Sequence, residues 1–252
     1  MARVRFNSPE ERLEIVRDLI NDRGTVRIDE LAADFGVSEM TIRRDLDELE
    51  ALGAARRVRG GAIALGPEHF SQRHRHNARA KTRIAEKLKS ILPASGTVAL
   101  DASTTIYRLA AAIDSVRDLV IVTNGPDTFG SLAGKPGVTA YLTGGMSDPR
   151  TDSLVGPVSA RTAESFMYAL FVCSGAALDP KLGSSEASIA EAEIKRAFHS
   201  ASSRVVLAVD RSKLGTRAQV RMFTMGEVDL LVTDLEPGDR RLDEYRDAVE
   251  LM

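Results

Sequence analysis

Gly36-Val37-Ser38-Glu39-Met40-Thr41-Ile42-Arg43-Arg44-Asp45-Leu46-Asp47-Glu48-Leu49 is the stretch on which the reading of this chain turns. Gly36 directly follows an apolar Phe35, and a residue without a Cβ suits the left-handed position that closes a helix. Val37 is expected to pack back. Ser38 then supplies a side-chain oxygen for the unbonded N–H groups of a new helix. In that helix Ile42, Leu46 and Leu49 recur at helical spacing and point inward. Met40, Arg43, Arg44 and Asp47 are left around the opposite side, with Thr41 on a flank. Two short helices joined by a tight glycine turn form a helix-turn-helix, whose second helix enters the major groove with its first turns. Arg43 and Arg44 can fork onto guanine edges or onto phosphates, and Ser38 and Thr41 are short donors suited to the DNA backbone.

Working outward, Ile28, Leu31, Ala32 and Phe35 predict the helix before the turn. Ser8-Pro9-Glu10-Glu11 predicts the start of another, with Leu13, Val16 and Ile20 on its inner face and Asn21 to Gly24 at its end. Thr25-Val26-Arg27 reads as a short extended link. Downstream, Ala54 to Ile63 reads as two short extended pieces about a basic glycine centre, as a β-wing would. Arg56, Arg57 and Arg59 are placed there for phosphates or the minor groove. A plain helical bundle with solvated arginines is the competing reading. The cap, the turn, the paired arginines and the basic wing follow one another in order, which favours double-stranded DNA as the partner.

The whole chain of 252 residues suits a small module plus a larger one, and 43% hydrophobic residues suit a packed globular protein. Its net charge of −2 is not that of a protein coating nucleic acid, so DNA contact must come from local arginine clusters. No apolar run approaches the length of a membrane span, and residues 1–5 lead into charged sequence without a secretory apolar core. The expected location is the cytoplasm. The one cysteine, Cys173, lies in an apolar run and reads as a small core residue.

The stretch from Leu65 to Lys89 is the most basic of the chain and reads as a solvated linker leading into an amphipathic helix bearing Ile84, Leu88 and Ile91. His74 and His76 lack cysteine or acidic partners at ligand spacing, so they read as surface residues and no metal is expected. From Thr97 onward, strand-like runs alternate with helical segments: 98–100, 119–122, 138–142, 170–173, 205–209 and 230–232. Such alternation predicts a mainly parallel α/β sheet with ligands beyond the carboxyl ends of its strands. Polar or glycine-rich turns follow these runs, among them Asp101 to Thr105, Thr123-Asn124, Gly144-Gly145 and Asp210 to Lys213. Ser103, Thr104 and Thr105 open a helix and offer hydroxyls and free N–H groups to an anion, phosphate above all. Lys213 can add a charge to that phosphate or meet a sugar oxygen, while Asp101, Asn124 and Asp210 can hydrogen-bond sugar hydroxyls.

The runs 28–32, 37–50 and 57–62 resemble the DNA-binding signature of the DeoR family of bacterial regulators. The resemblance continues through Asp101 to Thr105, Thr123-Asn124, Gly144-Gly145, Gly183-Ser184 with the helix around Glu191 to Lys195, and Asp210 to Lys213. It implies a winged helix-turn-helix over 1–62, a linker over 63–80 and a sensing domain over 81–252 similar to ribose-phosphate isomerase folds. It also implies that Lys195 joins the effector site and that the effector is a phosphorylated sugar. Where the family's loop usually has glycine, this chain has Ser103.

The expected function is a repressor of a carbohydrate-metabolism operon, not an enzyme, with no cofactor and no membrane partner. Two-fold operators would require a homo-oligomer, a dimer or tetramer. A sugar-phosphate isomerase using Asp101, Asp210 and Lys213 is the alternative from another class, and a regulator that has lost ligand control is a third.

Overall fold

The computed structural model describes residues 6, 8–64, 70–114 and 116–252. It divides into two compact units, 1–73 and 74–252.

In the first unit, α1 (Pro9–Arg23) begins where the Ser8 hydroxyl accepts the Glu11 N–H at 3.2 Å. Gly24, at φ 73°, turns the chain into β1 (Thr25–Arg27). Next come α2 (Ile28–Phe35) and then Gly36 in the left-handed region. The chain continues into α3 (Glu39–Ala51), capped by Ser38, whose hydroxyl accepts the Thr41 N–H at 3.1 Å. β2 (Ala55–Val58) and β3 (Gly61–Ala64) form a hairpin about Arg59-Gly60. The segment read as an extended link is thus a third strand, since β1 pairs with β3 and the order is β1-β3-β2. Its middle residue Val26 is buried, and a Cβ on Gly61 would lie 1.9 Å from the Val26 carbonyl oxygen. Only glycine lets the wing close on β1 at that point.

Val16, Ile20, Leu31, Phe35, Ile42, Leu46 and Leu49 make the core of this unit. One charge pair enters it. Asp45, on the inner side of α3, accepts two hydrogen bonds from the Arg12 guanidinium of α1, at 2.7 and 2.9 Å. Both side chains are about nine-tenths buried, so the pair fixes how α3 is rotated against α1.

α4 (Phe70–Arg75) crosses this division, and α5 (Ala78–Lys89) lies in the second unit. The segment expected as linker, 63–80, therefore holds the end of β3, all of α4 and the start of α5, while 65–69 lie outside the described residues. Ile84 and Leu88 are buried beside Ile106 and Leu109, which is why the helix is part of the larger unit's core. Alternating elements follow: β4 (Gly96–Leu100), α6 (Thr104–Ala112), β5 (Leu119–Thr123), α7 (Pro126–Leu132) and β6 (Val138–Leu142). A hairpin of β7 (Met146–Asp148) and β8 (Ser153–Val155) leads to α8 (Pro157–Glu164) and β9 (Leu170–Cys173). The rest comprises β10 (Ala177–Asp179), β11 (Gly183–Glu186), α9 (Ile189–Ser200), β12 (Val205–Ala208), β13 (Val220–Arg221), β14 (Leu230–Val232) and β15 (Glu250–Leu251).

Among the described residues, the main sheet has seven strands in the order β15-β14-β12-β9-β4-β5-β6, with every pairing parallel. Helices α8 and α9 cover one face through Ala163, Ile194 and Phe198, and α5, α6 and α7 cover the other. The two-residue β15 was missed in the sequence because so short a strand carries no periodicity. From β4 the chain builds outward through β5 and β6 on one side, then returns to place β9 on the other. The order therefore reverses between β4 and β9, where doubly wound sheets open a crevice. Among the described residues no helix is long and apolar enough to cross a membrane.

Removing one member of the buried pair leaves the other charge without its partner. Asp45→Ala is expected to destabilise the first unit by about 3 kcal/mol, lowering its melting transition by about 10 °C or more. Calorimetry on the full chain checks this, with the transition of the larger unit unmoved.

Candidate DNA-binding face and effector site

On the first unit, Met40, Arg43 and Arg44 are exposed on the outer side of α3, Met40 to 67%. Thr41 is half-buried, and its hydroxyl lies 2.9 Å from that of Ser38. Arg43 pairs with Glu39 one turn back at 3.3 Å, an exposed contact that a phosphate or guanine can replace at little cost. Arg56 and Arg59 are exposed on the wing.

Arg57 is different. Its guanidinium meets Asp47 at 3.0 Å and the Gly61 carbonyl at 3.3 Å, and its backbone N–H donates to Glu50 at 2.8 Å. The expectation that Arg57 stands ready for phosphate is corrected: it is committed to holding the wing against α3.

On the second unit, the turns predicted after β4, β5, β6 and β12 all lie at the carboxyl edge of the sheet, as parallel pairing requires. Asp101 ends β4 fully buried. One carboxylate oxygen accepts the Ser103 N–H at 3.0 Å and the other accepts the Ser174 N–H, beyond β9, at 2.9 Å. One carboxylate thus ties together the turns after β4 and β9. Lys195, on α9, places its ammonium 3.0 Å from Asp101 and 2.5 Å from Glu186 and donates to the Ser174 carbonyl at 2.8 Å. Burial works against its charge, but Asp101, Glu186 and Glu191 more than offset that and hold it well above the ordinary lysine range. Burial likewise pushes the Glu186 carboxyl up. Asp101 and Lys195, expected to meet the effector directly, are thus buried and engaged with each other and with the turns beside them.

Ser103 caps α6, accepting the Ile106 N–H at 3.3 Å, and is half-exposed where Thr104 and Thr105 are buried. The buried Lys81, a residue the sequence reading passed over, reaches from α5 to donate to the Thr104 hydroxyl at 3.0 Å. Its signal was its place on the inner face of α5, three residues before Ile84. The Thr123 hydroxyl accepts the Gly125 N–H at 3.1 Å and closes the next turn. Asn124 donates to the Leu154 carbonyl at 3.2 Å, but its Oδ1 and the Thr128 hydroxyl are buried with no hydrogen-bond partner among the described residues. This turn abuts the first, since a Cβ on Gly125 would lie 2.8 Å from the Ala102 Cα.

Gly144 and Gly145 both have positive φ, at 69° and 111°. Asp210 is buried and accepts from Ser212 and from Asn77, the latter at 3.1 Å. All three of these hydrogen bonds fall on its Oδ1. Lys213 is half-buried on the turn after β12.

His74, expected at the surface, is half-buried and packs edge-on against Tyr107 with ring centres 5.2 Å apart. Burial lowers its pKa. His76 is exposed. Cys173 is buried in the core, as read from the sequence. No cluster of three metal-binding side chains occurs among the described residues.

Residues 12–68 match the DeoR-like helix-turn-helix domain and residues 76–235 the DeoR C terminal sensor domain. The chain is 34% identical to the HTH-type transcriptional regulator GlpR of Haloferax volcanii, over 90% of each chain. It is 29% identical to the lactose phosphotransferase system repressor of Streptococcus mutans, over 95% of this chain and 98% of that one. Among solved structures, the ribose 5-phosphate isomerase of Plasmodium falciparum aligns over 53% of this chain and 51% of its own, at 17% identity and a TM-score of 0.37.

Without Lys195, Asp101 and Glu186 would face each other unneutralised. Lys195→Met is expected to lower the stability of the second unit by about 3 kcal/mol or more at neutral pH, read as its melting transition. A carboxyl whose folded pKa is raised binds its proton on folding, so its contribution falls as pH rises through that value. The variant should accordingly recover as the pH is lowered from neutral toward the carboxylate range, and Lys195→Met combined with Glu186→Gln should recover at neutral pH.

Proposed function

This chain belongs to the DeoR family of DNA-binding transcriptional regulators, and from that premise we propose that it represses a carbohydrate-metabolism operon in the cytoplasm under control of a phosphorylated sugar. The observation that carries the reading is the carboxyl edge of the sheet. There Ser103 opens α6 half-exposed, Lys81 lies beside Thr104, and Lys213 stands half-buried on a neighbouring turn. A phosphate supplies the acceptor oxygens and the negative charge that such donors favour. The unpartnered Asn124 Oδ1 and Thr128 hydroxyl mark polar capacity next to it, which suits the hydroxyls of a sugar.

Ser103 stands where the family's loop usually has glycine. Its Cβ narrows the approach to the α6 backbone, while its hydroxyl is a further donor once released from the Ile106 N–H. Asp101 is unsuited to act as the base of an isomerase, because both its oxygens are already hydrogen-bonded and it is buried.

The same loops grip the segment that follows the DNA-binding unit. Asn77, at φ 53°, donates from its one amide nitrogen to Asp210 and to the Ser212 hydroxyl, each at 3.1 Å. Arg108, on α6, donates to the His74 carbonyl at 2.9 Å. A ligand that rearranges the turns after β4 and β12 therefore pulls on residues 74–81. Operator affinity changes only to the extent that DNA and ligand prefer different arrangements of that segment.

Arg43→Ala and Arg44→Ala should each weaken operator binding by about tenfold or more in fluorescence anisotropy, with the second unit's melting transition unchanged. Retention of wild-type affinity by both would sink the recognition-helix assignment. In a thermal-shift panel of pentose and hexose monophosphates, at least one should stabilise the wild type, and Lys213→Ala should lose that stabilisation. Asn77→Ala should still bind that compound while its effect on operator affinity shrinks toward none. A panel without any stabilising member would remove the sugar phosphate from the proposal.

A further inference from the structure

The carboxylates of α3 are not alike in what they hold. Asp45 is buried against Arg12, Asp47 meets the Arg57 guanidinium, and Glu50 accepts the Arg57 N–H, so these fix the helix and the wing in place. Glu48 lines a cavity with Pro9 and Leu13 of α1. Glu39 does none of this. It opens α3 with its side chain 56% exposed, and among the described residues the one ion pair or hydrogen bond that side chain makes is with Arg43, at 3.3 Å.

Glu39, Arg43 and Asp47 stand at successive helical turns and form one row along α3. Asp47 is tied to the wing through Arg57, while Glu39 and Arg43 remain exposed in the first turns. An acid there suits the helix dipole, but a carboxylate brought up to a duplex is repelled by the phosphates. In the major groove it is favourable where it accepts a donor from a base edge, and the donors there are N4–H of cytosine and N6–H of adenine.

The arginine beside Glu39 decides between them. A guanidinium that forks onto N7 and O6 of guanine uses only part of its set of N–H donors, so Arg43 can keep Glu39 while it does so. The pair then presents two donors followed by an acceptor. That order complements a G·C pair, whose edge runs N7, O6, N4–H. An A·T pair runs N7, N6–H, O4, which sets a donor against the guanidinium and an acceptor against the carboxylate.

We propose that Glu39 and Arg43 read one G·C pair of the operator as a unit, Arg43 donating to the guanine and Glu39 accepting the exposed N4–H of its cytosine. This rests on α3 being the helix that meets the duplex. The test begins with the duplex that the full-length wild type selects from random sequence, followed by fluorescence anisotropy on modified copies of it. At one G·C pair, 7-deazaguanine, which lacks the N7 acceptor, should weaken the wild type by about threefold or more and leave Arg43→Ala unaffected. N4-methylcytosine opposite that guanine still pairs but replaces the exposed N–H with a methyl group. It should weaken the wild type by about tenfold and Glu39→Ala hardly at all, while Glu39→Ala stays sensitive to 7-deazaguanine. Glu39 is exposed, so the melting transition of the first unit should be nearly unchanged in that variant. A wild type indifferent to N4-methylcytosine, a Glu39→Ala variant as sensitive to it as the wild type, or a selected duplex with no G·C pair that depends on Arg43 would each overturn the proposal. Wild-type affinity of Arg43→Ala and Arg44→Ala for the unmodified duplex would instead remove the recognition helix itself.

Discussion

Two β-strands that are far apart in sequence, β4 and β9, lie side by side at the centre of the larger unit, and their ends are held together by one buried carboxylate. Asp101 accepts a backbone N–H from its own loop and another from Ser174 beyond β9, and Lys195 neutralises it from α9. Buried charge is costly unless it is paired and hydrogen-bonded, and here every oxygen and the ammonium are engaged. The network holds the turns after β4 and β9 together.

The DNA-binding unit follows the same rule on a smaller scale. Arg12 and Asp45 set the rotation of α3, and Arg57 with Asp47 and Glu50 sets the wing against it. Arg43, Arg44, Arg56 and Arg59 stay exposed, on a chain whose overall charge is slightly negative.

Residues 74–81, at the start of the second unit, are tied by hydrogen bonds to the turns after β4 and β12.

Much of this was legible in the residues alone. Caps at Ser8 and Ser38, the left-handed Gly36, the inward Ile42 and Leu46 and the alternation of apolar runs with helices are local signals, each carried by a few adjacent side chains, and the structure follows them. The outward placing of Arg43 and Arg44 comes from the same helical period. Contacts between distant segments carried no such mark: that Thr25–Arg27 completes the wing, that Asp45 takes Arg12, that Arg57 is committed to Asp47, that Asp101 and Lys195 neutralise each other inside the sheet, and that Lys81 and Asn77 reach the turns after β4 and β12. A charged residue looks the same in a sequence whether it faces water or a buried partner. Backbone preference and periodicity settle which elements form and which face is apolar, because both depend on neighbours along the chain. Which charges are free to meet DNA or a ligand is decided only when the fold brings remote groups within hydrogen-bonding distance.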